Sequence, residues 1–243
     1  PAFDYAMAPG VRLTYDKVAA SVLAEFLLYD AGVDVDEKPL ARALHGRVSL
    51  DHWDDVDDVL VDCISQGKKD DDFEDDGASS DALGTDEILA LFHERLPEMK
   101  QVIQERVEHR TFQAMEGLIH NLTTMHSRVG AQVPFTSLNF GTDTSVEGRL
   151  VSKMLLKAQW EGLGNGETAL FPITIFKVKE GINYNPRDPN FDLFKLSIKV
   201  SAKRLFPNFV FIDAPFNLQY YKPGDYRTEA VAMGCRTRVM GSV

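Results

Sequence analysis

Cys235 lies in the run Met233-Gly234-Cys235-Arg236-Thr237-Arg238-Val239 and is one of only two cysteines in the chain. A thiol can act as a nucleophile where its thiolate is favoured, or pack as a small apolar side chain. The glycine just before it lets the backbone turn sharply or approach a neighbour closely. Residues 230–233 have the length and apolarity of a short buried strand, so the spacing predicts a cysteine on a loop tip at a strand end. Cys63 reads differently. It shares one helical face with Val56, Val59, Leu60 and Ile64 in a helix expected over 51–65, and a reactive thiol needs exposure and an electropositive setting. Core packing is its expected role. His120 and His126 fall on one helix six residues apart, a spacing poorly suited to sharing a metal; hydrogen-bonded packing is expected for both. The acidic run 70–76 matches no calcium loop, which needs alternating ligands, a central glycine and a terminal glutamate.

The elements that would position these residues change character along the chain. Apolar residues recur at helical spacing over 18–28, with Val18, Val22 and Phe26 on the stripe. Residues 68–86 are too densely acidic to pack and read as a solvated loop. Thr85 is then placed to cap a helix running to Met125, with a break expected near Pro97. After it comes alternation. Residues 132–140 form a strand leaving Gln132, Ser137 and Asn139 available to a polar cavity, and a turn at 141–145 precedes a helix over 147–161. The glycines of 162–167 follow a helix and precede a strand, the reverse of a dinucleotide fingerprint, so they read as a helix stop. A strand at 171–178, a helix at 192–205 and a strand at 209–212 complete a parallel βαβ pattern, giving a partial barrel or an open sheet. The expected division is 1–109, mainly helical, and 110–243, built of βαβ units.

Composition bounds the partners. The 243 residues are 44% hydrophobic and 26% charged, as in an ordinary soluble globular protein, and the net charge of -11 argues against a nucleic-acid surface. No apolar run approaches the roughly 20 residues a membrane helix requires. A cytoplasmic location is the default expectation, and sparse cysteine usage suits a reducing compartment.

An ordered set of motifs carries a resemblance. After His120-Asn121-Leu122 and Met125-His126-Ser127-Arg128 come Gly130-Ala131-Gln132-Val133-Pro134-Phe135 and Asn139-Phe140-Gly141-Thr142-Asp143-Thr144. Then follow Gly162-Leu163-Gly164, Phe171-Pro172, Lys179-Glu180-Gly181, Asp188-Pro189-Asn190, Ser201-Ala202-Lys203-Arg204, Asp213-Ala214-Pro215-Phe216-Asn217 and the cysteine run. Together they resemble the large catalytic subunit of anaerobic (class III) ribonucleotide reductases, in the family's order, from about residue 110 onward; residues 13–109 match only loosely.

That resemblance implies an α/β fold: part of a ten-stranded barrel of the glycyl-radical enzyme type, with Cys235 on a loop at its centre. It implies reduction of ribonucleoside triphosphates to deoxyribonucleotides for DNA synthesis. In the family a glycyl radical, generated by a separate activase that uses S-adenosylmethionine and an iron–sulfur cluster, oxidises the loop cysteine to a thiyl radical, and formate is the reductant of the best-known branch. Met233 resembles a methionine of the formate-using branch, where a thioether can meet a sulfur-centred intermediate; packing explains a methionine equally well. Ser137 and Asn139 are candidates for substrate contact from strand polarity, and Arg236, with Arg238, for phosphate or for surface ion pairs. The second active-site cysteine, the glycyl-radical loop, the zinc-binding cysteines and the nucleotide-sensing region have no match in these residues. The chain therefore reads as an interior piece of a homodimeric enzyme, inactive alone. Two other readings stay open: a formate acetyltransferase-like glycyl-radical enzyme, which usually pairs adjacent cysteines on its loop, and an assembly module without chemistry.

Overall fold

The computed structural model describes residues 2–67, 83–125, 133–234 and 238–239; the acidic run, His126, Gln132, Cys235 and Arg236 lie outside them. It divides into two compact units, Gly10–Val107 and Pro1–Pro9 with Glu108–Val243.

Within Gly10–Val107 the elements are helical. α1 (Phe3–Ala31) contributes its later turns, α2 (Glu37–Leu44) and α3 (Val56–Gly67) lie wholly inside, and α4 (Thr85–Thr124) contributes its earlier turns. Leu23, Leu27, Leu40, Leu60, Ile88 and Ile103 are fully buried. The rings of Phe26 and Phe92 meet at 6.2 Å, and the Trp53 indole donates to the Tyr15 hydroxyl at 2.9 Å. Several features differ from the sequence reading, among them the start of α3, at Val56 rather than near residue 51. The first helix begins at Phe3 and carries Pro9 within it. α2 is unforeseen: Asp36 caps it by accepting from the Lys38 amide, and Pro39 falls in the first turn, where a missing N–H costs little. α4 passes through Pro97 without a break, and Thr85 is its first residue rather than its cap. Glu87 reaches back to the Gly84 amide at 2.9 Å instead.

In the other unit strands and helices alternate as expected. β1 (Ser137–Phe140), α5 (Val146–Glu161), β2 (Ile173–Val178), α6 (Phe191–Arg204) and β3 (Asn208–Phe211) build a parallel sheet in the order β1-β2-β3. Ser137 pairs with Ile173 and Phe140 with Phe176, while Ile175 pairs with Asn208 and Val178 with Phe211. β1 is shorter than the sequence suggests, because 133–136 are not extended strand. A short helix α7 (Pro215–Leu218) follows, then a 3-10 turn at Tyr226–Thr228, and β4 (Val231–Ala232) pairs antiparallel with β5 (Arg238–Val239).

Alternation gives the sheet two unlike faces. Phe140, Phe176 and Phe209 share one, and Phe194 of α6 packs there with ring centroids 6.1 Å from Phe176 and 6.2 Å from Phe209. Ser137, Asn139, Ile173, Ile175 and Lys177 point the opposite way, as the period of two requires.

Candidate functional site

The face turned away from the helices is covered by the segment 229–234. Gly234 donates its amide to the Ser137 hydroxyl at 2.8 Å. Asn139 makes two bonds to one residue: its Nδ2 donates to the Ala232 carbonyl at 2.9 Å, and its Oδ1 accepts the Ala232 amide at 2.9 Å. Two residues along an extended chain advance about 6.8 Å, so Ser137 and Asn139 match Gly234 and Ala232 in antiparallel sense. Side chains of β1 thus take the place of a neighbouring strand. Gly234 fits because it lacks a Cβ. One built there would lie 2.5 Å from Ile173 Cδ1 and 3.2 Å from Phe135 Cζ.

At Glu229 the segment is held by charge. Lys177 donates to Glu229 Oε2, Thr142 donates to the same oxygen at 2.9 Å, and Lys179 donates to Oε1 at 3.1 Å. Lys177 is fully buried and Glu229 nearly so. Burial opposes charge on Glu229, but the two ammonium groups and the Thr142 hydroxyl outweigh it and hold the carboxyl below its ordinary range. For Lys179 burial again opposes charge, and the Tyr221 hydroxyl at 2.6 Å together with Glu229 raises it above the usual lysine value.

The turn after β1 is braced from three sides. Asp4 Oδ2 accepts the amides of Gly141 at 2.8 Å and Asp143 at 3.1 Å. Asn183 donates to the carbonyls of Gly141 and Lys177, and Asn190 to those of Gly141 and Asp143. Gly141 has φ 113, and a Cβ there would sit 2.8 Å from the Phe176 ring, so both conformation and space demand glycine. Burial pushes the Asp4 carboxyl up, against the two amides and Lys177. Tyr5 donates to the Thr142 carbonyl at 3.0 Å and stacks on Tyr226 at 4.0 Å; burial, then Glu229, Asp143 and Asp4, drive its hydroxyl well above the usual tyrosine value.

A family model described as anaerobic ribonucleoside-triphosphate reductase matches residues 1–242. The chain belongs to this family. Curated relatives bearing the same description include the Salmonella typhimurium protein, 31% identical over 144 residues that make up 59% of this chain and 19% of that protein. The Escherichia coli protein is 31% identical over 143 residues, 58% of this chain and 19% of its own length. That of Enterobacteria phage T4 is 33% identical over 108 residues, 44% and 18%. The chain thus spans about a fifth of the length of the curated relatives it matches.

Several motifs behind the resemblance to the reductase family have a structural task. Arg204 donates to the carbonyls of Trp160, Glu161 and Gly166, closing the exposed end of α5. Arg149 forks onto Asp192 and reaches Asn190 Oδ1 at 2.6 Å. Asp213 accepts the Glu180 amide at 2.6 Å.

Of the residues singled out in the sequence, Ser137 and Asn139 are brought together on the segment leading to Cys235, and Met233 on that segment is 48% exposed. Cys235 and Arg236 lie outside the described residues, as do His126 and the acidic run. Cys63 is half-buried, and burial followed by the Asp62 charge pushes its thiol up, unlike an activated cysteine. His120 is exposed and its carbonyl accepts the Thr124 hydroxyl. Among the described residues no three His, Cys, Asp or Glu side chains converge to hold a metal, and no helix is long and apolar enough to cross a membrane. Sequence reading missed the Lys177, Glu229 and Asp4 cluster. Its signal was legible: a lysine inside the strand Ile173-Thr174-Ile175-Phe176-Lys177-Val178 must find a partner when buried.

Proposed function

We propose that this chain forms part of an anaerobic ribonucleoside-triphosphate reductase in which Cys235 carries a thiyl radical. The family match over residues 1–242 carries the reading, and the attachment of 232–234 to the sheet face opposite the helices supports it. On this reading the three parallel strands belong to a ten-stranded barrel, residues 110–243 supplying one arc of it, and the face bearing Ser137 and Asn139 is its interior.

A glycyl radical on another segment of the longer protein, installed by a separate iron–sulfur, S-adenosylmethionine-dependent activase, supplies the oxidising equivalent when present. The residues of this chain hold the thiol and the nucleotide. The Cys235 sulfur takes the hydrogen atom from ribose C3′, forming an S–H bond as the C–H bond breaks; the two bonds are comparable in strength, so the exchange is nearly balanced. The 2′ hydroxyl leaves as water. Formate then supplies two electrons and is released as carbon dioxide, so that ribonucleotide, formate and a proton give deoxyribonucleotide, carbon dioxide and water. On this reading Met233, next but one to Cys235 in the sequence, meets a sulfur-centred intermediate, and Arg236 contacts phosphate. The environment this chemistry requires is one that excludes water and oxygen. A homodimer in the cytoplasm is the expected form of the whole enzyme. The test is Cys235→Ser in the full-length protein under anaerobic activation: loss of deoxynucleotide formation is expected, and retained turnover overturns the assignment.

A further inference from the structure

We propose that Ser137 and Asn139 are positioning residues for Cys235, fixing the backbone just ahead of it, rather than substrate contacts. The proposal rests on the assignment of the chemistry to Cys235. Four observations converge on it. Asn139 is buried, and the donor and the acceptor of its carboxamide both go to Ala232, at 2.9 Å each. The Ser137 hydroxyl accepts from Gly234, the chain neighbour of Cys235, at 2.8 Å. β4 is only two residues long and pairs with a strand equally short, so the ladder alone gives this segment little support. Finally, Gly234 sits so close to the sheet that a Cβ there would lie 2.5 Å from Ile173 Cδ1 and tightly, at 3.2 Å, against Phe135 Cζ, so the segment packs directly on these two side chains.

The chemical consequence concerns distance. Transfer of a hydrogen atom between sulfur and carbon demands near-contact geometry, and a displacement of about 1 Å costs on the order of a hundredfold in rate. A backbone tied at Ala232 and Gly234 removes that freedom one residue before the sulfur.

The experiment uses the full-length protein, anaerobically activated, with Asn139→Ala, Ser137→Ala and the conservative Ser137→Thr. Residue-resolved amide exchange is the first readout. Asn139→Ala is expected to speed exchange at Ala232, and Ser137→Ala at Gly234, by about five- to tenfold, the range of one lost hydrogen bond, with the amides of β2 unchanged and Ser137→Thr restoring protection. Kinetics are the second. A drop in kcat of about ten- to a hundredfold is expected, with the nucleotide KM within about threefold and the glycyl-radical yield by electron paramagnetic resonance unaltered. Unchanged exchange at both amides, or a tenfold rise in KM with kcat preserved, overturns the proposal. If Asn139→Ala does not accumulate, the Ser137 pair carries the same comparison. Product formation by Cys235→Ser would refute the placement of the chemistry while leaving the exchange result standing, so the two failures are distinguishable.

Discussion

Glu229 and Lys177 form an ion pair shielded from solvent, with side-chain exposures of 3% and 0%. It joins the residue that follows the 3-10 turn at Tyr226–Thr228, just ahead of β4, to the penultimate residue of β2, and Lys179 and Thr142 complete the shell around the carboxylate. Charges taken out of water are tolerated only while fully partnered.

Removing both partners is therefore expected to cost less than the two single removals together. Lys177→Met leaves the Glu229 carboxylate with one ammonium group instead of two and should destabilise by about 3 kcal/mol or more. The double variant Lys177→Met with Glu229→Gln should lose less than the sum of the single changes, because the residues touch. Urea denaturation of the four proteins gives the coupling; simple additivity would contradict a pair that works as a unit.

Acid response follows from the same carboxylate. Its folded value lies below the ordinary 4.5, through Lys177 and Lys179 prevailing over burial. The stability it contributes is complete above the unfolded value and is lost as pH falls through the lowered folded one. Glu229→Gln should therefore flatten the acid limb of a stability profile below about pH 4.5. Asp4 has the opposite sign: burial raises its carboxyl above 3.8, so its charging costs stability as pH rises through that raised value. Asp4→Asn keeps an oxygen for the Gly141 and Asp143 amides and should lose little at neutral pH. Thermal denaturation from pH 3 to 7 checks both signs.

Gly234 makes a steric prediction. Gly234→Ala should cost about 1–3 kcal/mol by overpacking, since the new methyl would fall 2.5 Å from Ile173 Cδ1. Ile173→Val removes that atom. The double variant should recover part of the loss in chemical denaturation, and no recovery would mean that Phe135 sets the limit.

Arg204 predicts that charge alone is insufficient. Its fork holds three carbonyls around the end of α5, and a lysine cannot reproduce it. Arg204→Lys should destabilise by about 1.5–3 kcal/mol, the scale of a lost charged hydrogen bond; a shift within 0.5 kcal/mol, the scale of an ordinary surface substitution, would contradict the role.

Much of the second unit was legible because its signals are local. Alternation at Ser137-Leu138-Asn139-Phe140, the apolar strand ending at Val178 and the glycine stop at Gly162 each announce themselves within a few residues. Gly10–Val107 was harder to read. The helical pattern of α1 is interrupted by Pro9-Gly10, and α2 has only eight residues with a proline in its first turn, so local propensity argues against helices that the apolar contacts of Leu23, Leu40 and Leu44 favour. At the site, period-two alternation put Ser137 and Asn139 on one polar face of the strand. It could not reveal their partner, since Ala232 and Gly234 lie more than ninety residues away and offer only backbone. Glu229 with Lys177 escaped for the same reason: each is conspicuous alone, and only the fold joins them.

The most direct measurement is deoxynucleotide formation from a ribonucleoside triphosphate deuterated at C3′, by the full-length protein activated without oxygen, with Cys235 intact and with Cys235→Ser. Hydrogen abstraction by Cys235 predicts slowed turnover on the deuterated substrate and no product from the serine variant, whose glycyl-radical signal persists. Product from Cys235→Ser at the rate of the unaltered protein would contradict it.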